Sequence, residues 1–114
     1  MRHVVLQHDN KPLSEPVLLI LASLAEKPRH GYALIQDIAA LSRGRVRLST
    51  GTLYGALPRL LEERWIERFR QADISRDKQA YRLTATGRRR LHAELERLEQ
   101  LTREAAARLR TKEA

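Results

Sequence analysis

Four small residues in a row, Ser49-Thr50-Gly51-Thr52, stand immediately before the apolar Leu53 and form the most chemically specific stretch of the 114-residue chain. Ser49 is of the type that caps a helix N-terminus. A helix that starts there leaves its first backbone N–H groups unpaired at the positive end of its dipole, an arrangement that suits a phosphate oxygen. The hydroxyls of Thr50 and Thr52 add donors without bulk, as contacts to a nucleic-acid backbone require. Ser49 divides evenly between capping and contact, whereas Thr50 and Thr52 favour contact. Tyr54 lies partly opposite the apolar stripe, where its ring reaches a phosphate or sugar, or else packs against the preceding helix. Arg59 follows Thr52 by seven residues, two turns along a similar face, within reach of the backbone.

Further candidates are scattered. Tyr32 is expected to be half core, with its hydroxyl at the edge that faces the nucleic acid, and His30 either touches phosphate or, the favoured reading, caps the helix that starts beside it. Arg76 and Lys78 fall in a charged loop, where contact with phosphates or a minor groove competes with simple solvation. Arg88, Arg89 and Arg90 are consecutive on a helix and cannot share a face, so one is expected to serve binding. No catalytic set appears, with no Gly-rich phosphate loop and no paired nucleophile and base, so the chain reads as a non-enzyme. It has no cysteine, and His3, His8, His30 and His92 include no pair at helical ligand spacing, so neither a metal nor another cofactor is expected.

The charge distribution supports a polyanionic partner. The formal net charge is +8. Residues 1–45 carry 6 basic and 4 acidic side chains, residues 46–92 carry 11 and 5, and residues 93–114 carry 5 and 5. The excess therefore sits in the middle, around the hydroxyl-rich stretch, as a nucleic-acid-binding surface would place it. No signal-peptide pattern and no apolar run of membrane-spanning length is present, so a cytoplasmic protein is expected.

The elements that must position these residues follow from periodicity. Residues 1–12 are polar and read as a flexible arm. Ser14 caps a first helix that carries Val17, Leu18, Leu21, Leu24 and Ala25 to about Glu26, where Pro28 stops it. A second helix starts near His30 or Gly31, lines one face with Leu34, Ile35, Ile38 and Leu41, and stops at Gly44. Arg45–Leu48 alternates and predicts a very short strand. The third helix follows Ser49 with a Leu53, Leu57, Leu60, Leu61 stripe. Pro58 inside it predicts a kink at Tyr54–Pro58, because proline removes one hydrogen bond and clashes with the preceding turn. Trp65–Phe69 and Ala80–Thr84 read as a hairpin, with Trp65, the single tryptophan, in core or hairpin packing. From the capping residue Thr84 to about Lys112 runs one long helix with a seam of Leu91, Leu95, Leu98, Thr102, Ala105 and Leu109, while Glu94 and other charges take the remaining faces. Three helices and a two-stranded wing make a mainly α winged helix-turn-helix, and the last helix is left for dimerisation.

Three motifs in order, His30-Gly31-Tyr32, Leu48-Ser49-Thr50-Gly51-Thr52-Leu53-Tyr54 and Tyr81-Arg82-Leu83-Thr84-Ala85-Thr86-Gly87-Arg88, closely resemble the PadR family of transcriptional regulators. The resemblance covers about residues 13 to 100, and the single terminal helix is similar to the compact subgroup of that family. It implies a homodimer on inverted-repeat double-stranded DNA, usually a repressor and often one released by a small-molecule effector. The wing departs from the family pattern in lacking glycines and in carrying Asp73 and Asp77.

The expected organisation is an arm (1–12), a winged-helix DNA-binding domain (13–84) and a dimerisation helix (85–112). The expected DNA contacts are Tyr32, Ser49, Thr50, Thr52, Tyr54, Arg59, Arg76 and Lys78. The expected dimer contacts are Leu91, Leu95, Leu98 and Leu109. The competing readings are a protein-interaction module with an acidic partner and a nonspecific nucleic-acid binder.

Overall fold

The computed structural model describes residues 11–69 and 79–113. The first helix, α1 (Glu15–Glu26), begins where the Ser14 hydroxyl accepts from the Val17 N–H, and a proline occupies its first turn. Then come β1 (Arg29–His30), α2 (Gly31–Leu41), α3 (Thr50–Glu62), β2 (Ile66–Phe69), β3 (Ala80–Leu83) and the long α4 (Ala85–Glu113). The strands form one antiparallel sheet in the order β1-β3-β2, with Arg29 opposite Tyr81 and Tyr81 opposite Arg68. This is a winged helix with a terminal helix, as the periodicity predicts.

The third strand is not where the alternation of Arg45–Leu48 places it. That segment is loop, because the Ser42 hydroxyl engages both the N–H and the carbonyl of Val46 and turns the chain back. The strand is instead the two-residue β1, which adds to the free edge of β3. Its first residue, Arg29, ties α1 to α2 by bonding Glu26, the Ser23 carbonyl and, at 3.4 Å, Asp37.

Helix ends are also specified locally. The stop of α2 is shared by two residues rather than made by Gly44 alone. Arg43 sits in the left-handed region at φ 56°, and the Gly44 N–H bonds back to the Ala39 carbonyl at 2.7 Å. The end of α3 repeats this with Arg64 at φ 64° and the Trp65 N–H on the Leu60 carbonyl. Pro58 lies within α3, which runs unbroken from Thr50 to Glu62. Its ring is on the exposed face, where the carbonyl that loses its partner is open to water.

Leu34 and Ile38 of α2, Leu53, Leu57 and Leu60 of α3, and Ile66 and Tyr81 of the wing close the core over α1. Leu91 of α4 joins them at 6% exposure. Glu94 is not a surface charge, being 2% exposed. Its carboxylate accepts two bonds from Arg97 and one from the Leu13 N–H, and Arg90 lies 3.8 Å away. The Arg97 hydrogen bonds, helped by Leu13 and Arg90 and opposed by desolvation, hold its pKa below the usual carboxylate range. A lowered folded-state pKa contributes stability at neutral pH that is lost as pH falls through the carboxylate range. Glu94→Gln is therefore expected to cost about 1–3 kcal/mol at neutral pH and to flatten the acid limb of stability. Urea unfolding at several pH values reads both effects, and parallel pH profiles for variant and wild type would contradict them.

Candidate nucleic-acid interface

The start of α3 has the predicted geometry. Ser49 is the N-cap; its Oγ accepts from the Thr52 N–H at 3.0 Å and lies 3.1 Å from the Thr52 hydroxyl. Its side chain is thus committed to the cap. Thr50, Gly51 and Thr52 are all exposed. The face of α3 turned away from the core carries Gly51, Gly55 and Pro58 along its middle. A Cβ at Gly55 would meet nothing within 4 Å, so the fold itself does not require glycine there. The result is a low central strip flanked by Thr52 on one side and by Thr50 and Tyr54 on the other, which lets the backbone approach a groove closely.

Tyr54 combines both of its predicted possibilities. It is about half exposed, yet its hydroxyl lies only 2.0 Å from where a Cβ on Gly31 would stand. The glycine of the His30-Gly31-Tyr32 motif is therefore explained by a tyrosine of the second motif. Tyr32 is exposed on the first turn of α2 rather than half core, because the core positions of that helix are Leu34 and Ile38. His30 occupies the N-cap position of α2 but makes no capping bond, in contrast to expectation.

Two residues beside Tyr54 escape a reading of the sequence alone. Tyr81 is buried in the core, and Arg68, its cross-strand partner, is exposed on the same side of the wing. Burial raises the pKa of the Tyr81 hydroxyl, the Arg68 charge lowers it, and Tyr54 adds a smaller rise. Strand alternation could have placed Arg68 on that side, but not what it faces. On the other side of the wing Arg82 pairs with Glu67 at 2.6 Å and lies 5.2 Å from the Phe69 ring. Arg76 and Lys78 lie outside the described residues.

Arg59 is exposed on the Thr52 side of this surface, toward the end of α3. It lines an open cleft with Glu63, Lys11, Trp65, Arg89 and Arg90, between the end of α3 and the start of α4. Arg90 is structural: it donates to the Lys11 carbonyl and lies 5.4 Å over the half-buried Trp65 ring. Arg88 donates to the Ala25 carbonyl and Arg89 to Thr86.

The apolar seam of α4 starts inside the domain. The core already holds Leu91, which leaves it almost no surface for a partner. Leu95, Leu101 and Leu109 are exposed and Leu98 is half-buried. At about 100° per residue all of these fall within roughly 60° of Leu98, so they form one stripe. Leu101 belongs to it and was missed by strict heptad counting.

No helix among the described residues is long and apolar enough to cross a membrane, and no cluster of metal-ligating side chains appears among them. The sequence model described as the transcriptional regulator PadR-like family matches residues 20–93. No curated protein matches the chain. Among solved structures, a transcriptional regulator from Clostridium thermocellum is similar at 25% identity and TM-score 0.68, over 81% of this chain and 89% of that one. A PadR family transcription regulator from Clostridium difficile shares 23% identity and TM-score 0.68, over 82% and 96%. Bacillus subtilis PadR, solved in complex with operator DNA, shares 22% identity and TM-score 0.64, over 75% of this chain and 48% of its own.

Proposed function

The chain belongs to the PadR-like family of transcriptional regulators, proteins that bind DNA rather than catalyse reactions, and from that premise we propose that it is an operator-binding repressor acting as a homodimer. The observation that carries this reading is the start of α3. Its hydroxyls and backbone N–H groups are exposed beside a strip of glycine and proline that no internal contact demands. An interaction module for an acidic partner would have no use for such a smooth reading face. Thr50, Thr52, Tyr54 and Tyr32 are the proposed DNA contacts of the described residues, and Arg76 and Lys78 the proposed wing contacts. Residues 13–84 then act as the reading domain and residues 85–112 as the dimerisation helix. Arg59, a further proposed DNA contact, also lines the cleft between the end of α3 and the start of α4. A small molecule there would touch both the reading helix and the helix that sets the dimer, which makes the cleft the proposed place of effector release.

The test is a binding assay on the DNA upstream of the protein's own gene, over a range of salt. Wild type is expected to bind an inverted repeat with affinity that falls steeply as salt rises. Thr52→Ala is expected to cost about 1–3 kcal/mol of binding, and Gly55→Leu at least as much by blocking approach to the groove. Equal affinity for all sequences would favour the nonspecific binder, and salt-insensitive binding would sink the reading.

A further inference from the structure

We propose that Thr50 is the acceptor for phosphoryl transfer by an arginine-directed serine/threonine protein kinase, and that its phosphorylation turns DNA binding off. The modification stands on observations of its own, whereas its consequence rests on the DNA-binding reading.

Three observations carry the assignment. The first is spacing. Arg47 precedes Thr50 by three residues and Arg45 by five, and no other serine or threonine of the chain has a basic residue at both distances. A kinase groove lined with carboxylates selects its substrates by such a charge pattern. The second is presentation. Residues 45–49 belong to no helix or strand, and the backbone of Ser49 is extended, as a substrate lies in a kinase groove. Val46 and Leu48 pack against the core, while Arg45, Arg47, Ser49 and Thr50 are exposed. Both arginines thus stand clear of the domain, and neither forms an ion pair among the described residues.

The third observation is which hydroxyl is available. The Ser49 side chain is committed to Thr52, with its Oγ 3.0 Å from the Thr52 nitrogen and 3.1 Å from the Thr52 hydroxyl. The Thr50 hydroxyl takes no part in that pairing. Thr50 is also the first residue of α3, and Gly51 behind it is a poor helix former. The first turn therefore opens into a groove at little cost, and the opening stops short of Leu53, which is fully buried.

In the transfer, the Thr50 Oγ1 attacks the γ-phosphorus of ATP held by the kinase. An O–P bond forms, the bond from that phosphorus to the β–γ bridging oxygen breaks, and ADP leaves. The hydroxyl proton passes to the kinase's catalytic carboxylate. Thr50 then carries a charge of about −1.5 to −2 at neutral pH. It flanks the low strip of Gly51, Gly55 and Pro58, so the new charge stands where α3 approaches the phosphates of a duplex and repels them.

The test incubates the full chain with ATP and the catalytic domain of a kinase that requires arginine at those two positions. Fragmentation of the tryptic peptide 48–59 maps the product. One phosphoryl group is expected, on Thr50. Thr50→Ser is expected to be labelled and Thr50→Ala not, and Arg45→Gln with Arg47→Gln is expected to slow labelling at least about tenfold. The phosphorylated protein is expected to bind the DNA upstream of its own gene at least about thirtyfold more weakly than untreated protein, and a phosphatase is expected to restore binding. Transfer to Ser49, Thr52 or another residue overturns the assignment. A protein left unlabelled while a free peptide of residues 43–55 is labelled overturns it too, because the fold then hides the hydroxyl. A peptide that is also unlabelled shows that the arginine spacing is not read, with the same result. Phosphorylated Thr50 with unchanged DNA affinity overturns the switch while DNA binding stands. Untreated protein without salt-dependent binding takes down the DNA reading and the switch with it, and leaves the mapped phosphorylation in place.

Discussion

Gly87→Ala is expected to lose about 3 kcal/mol or more of stability, enough to lower the melting temperature by more than about 10 °C. The reason is a crossing of two backbones. A Cβ on Gly87 would stand 2.0 Å from the Trp65 carbonyl oxygen and 2.8 Å from its carbon, and neither is a flexible side-chain end that can swing away. The crossing is tied on both sides. The Thr84 N–H donates to the Trp65 carbonyl at 3.0 Å, and the Thr84 hydroxyl donates to the Arg64 carbonyl at 2.6 Å. That hydroxyl also accepts from the Gly87 N–H at 2.9 Å, capping α4. Alanine would have to push the first turn of α4 about 1 Å off the chain that follows α3, breaking these bonds together. Gly55→Ala is the matched control: its Cβ meets nothing, and removing glycine from a helix interior is expected to add about 0.5–1 kcal/mol. Thermal unfolding of the two variants reads the contrast, and a Gly87→Ala protein that melts like wild type would contradict the tight crossing. Because the crossing joins the reading domain to α4, it also fixes the angle at which the two parts meet.

What a sequence discloses depends on how local the determinant is. Ser14, Ser49 and Thr84 were legible as caps because an N-cap bond closes within three residues, and all three make that bond. The stripes of α1, α2 and α3 were legible because helical period reports burial directly. The strand at Arg29–His30 was not, because two residues carry no period, and only pairing with β3 makes them extended. Arg45–Leu48 misled for the complementary reason: four alternating residues fit a strand, but the Ser42 side chain holds them as a loop. The candidate site divides in the same way. Thr50 and Thr52 are placed by their own helix, whereas Arg68 and Tyr81 acquire meaning only when the wing folds beside Gly31 and Tyr54. The stripe on α4 was legible as apolar, but period cannot say whose core covers each turn, so Leu91 and Glu94 were assigned to the wrong surroundings.

That division of α4 decides the second large prediction. Leu101 and Leu109 are 51% and 72% exposed, so the domain does not use them for its own core. Full burial of a leucine is worth roughly 1.5–3 kcal/mol, and the exposed half of one about 1 kcal/mol. Leu95, Leu98, Leu101 and Leu109 from two chains therefore offer about 8 kcal/mol, within the range of 4–15 kcal/mol that association itself costs. The alanines of the stripe and the edge of α1 at Leu18 and Leu19 must add to it, and the balance is close enough to be reversed by few changes. Leu101→Glu with Leu109→Glu places four carboxylates in the two-chain seam while keeping good helix formers on an exposed surface, so the monomer fold should be retained. The expected result is a folded monomer by sedimentation, with circular dichroism like that of wild type. Its affinity for an inverted repeat should fall by about 100-fold or more, because the second half-site is no longer bound at high effective concentration. A single half-site should still be bound by the variant as weakly as wild type binds it, since α3 is untouched. A double variant that remains dimeric would place the interface elsewhere, with α1 the next surface to test. One that dissociates yet keeps full operator affinity would separate dimerisation from DNA reading altogether.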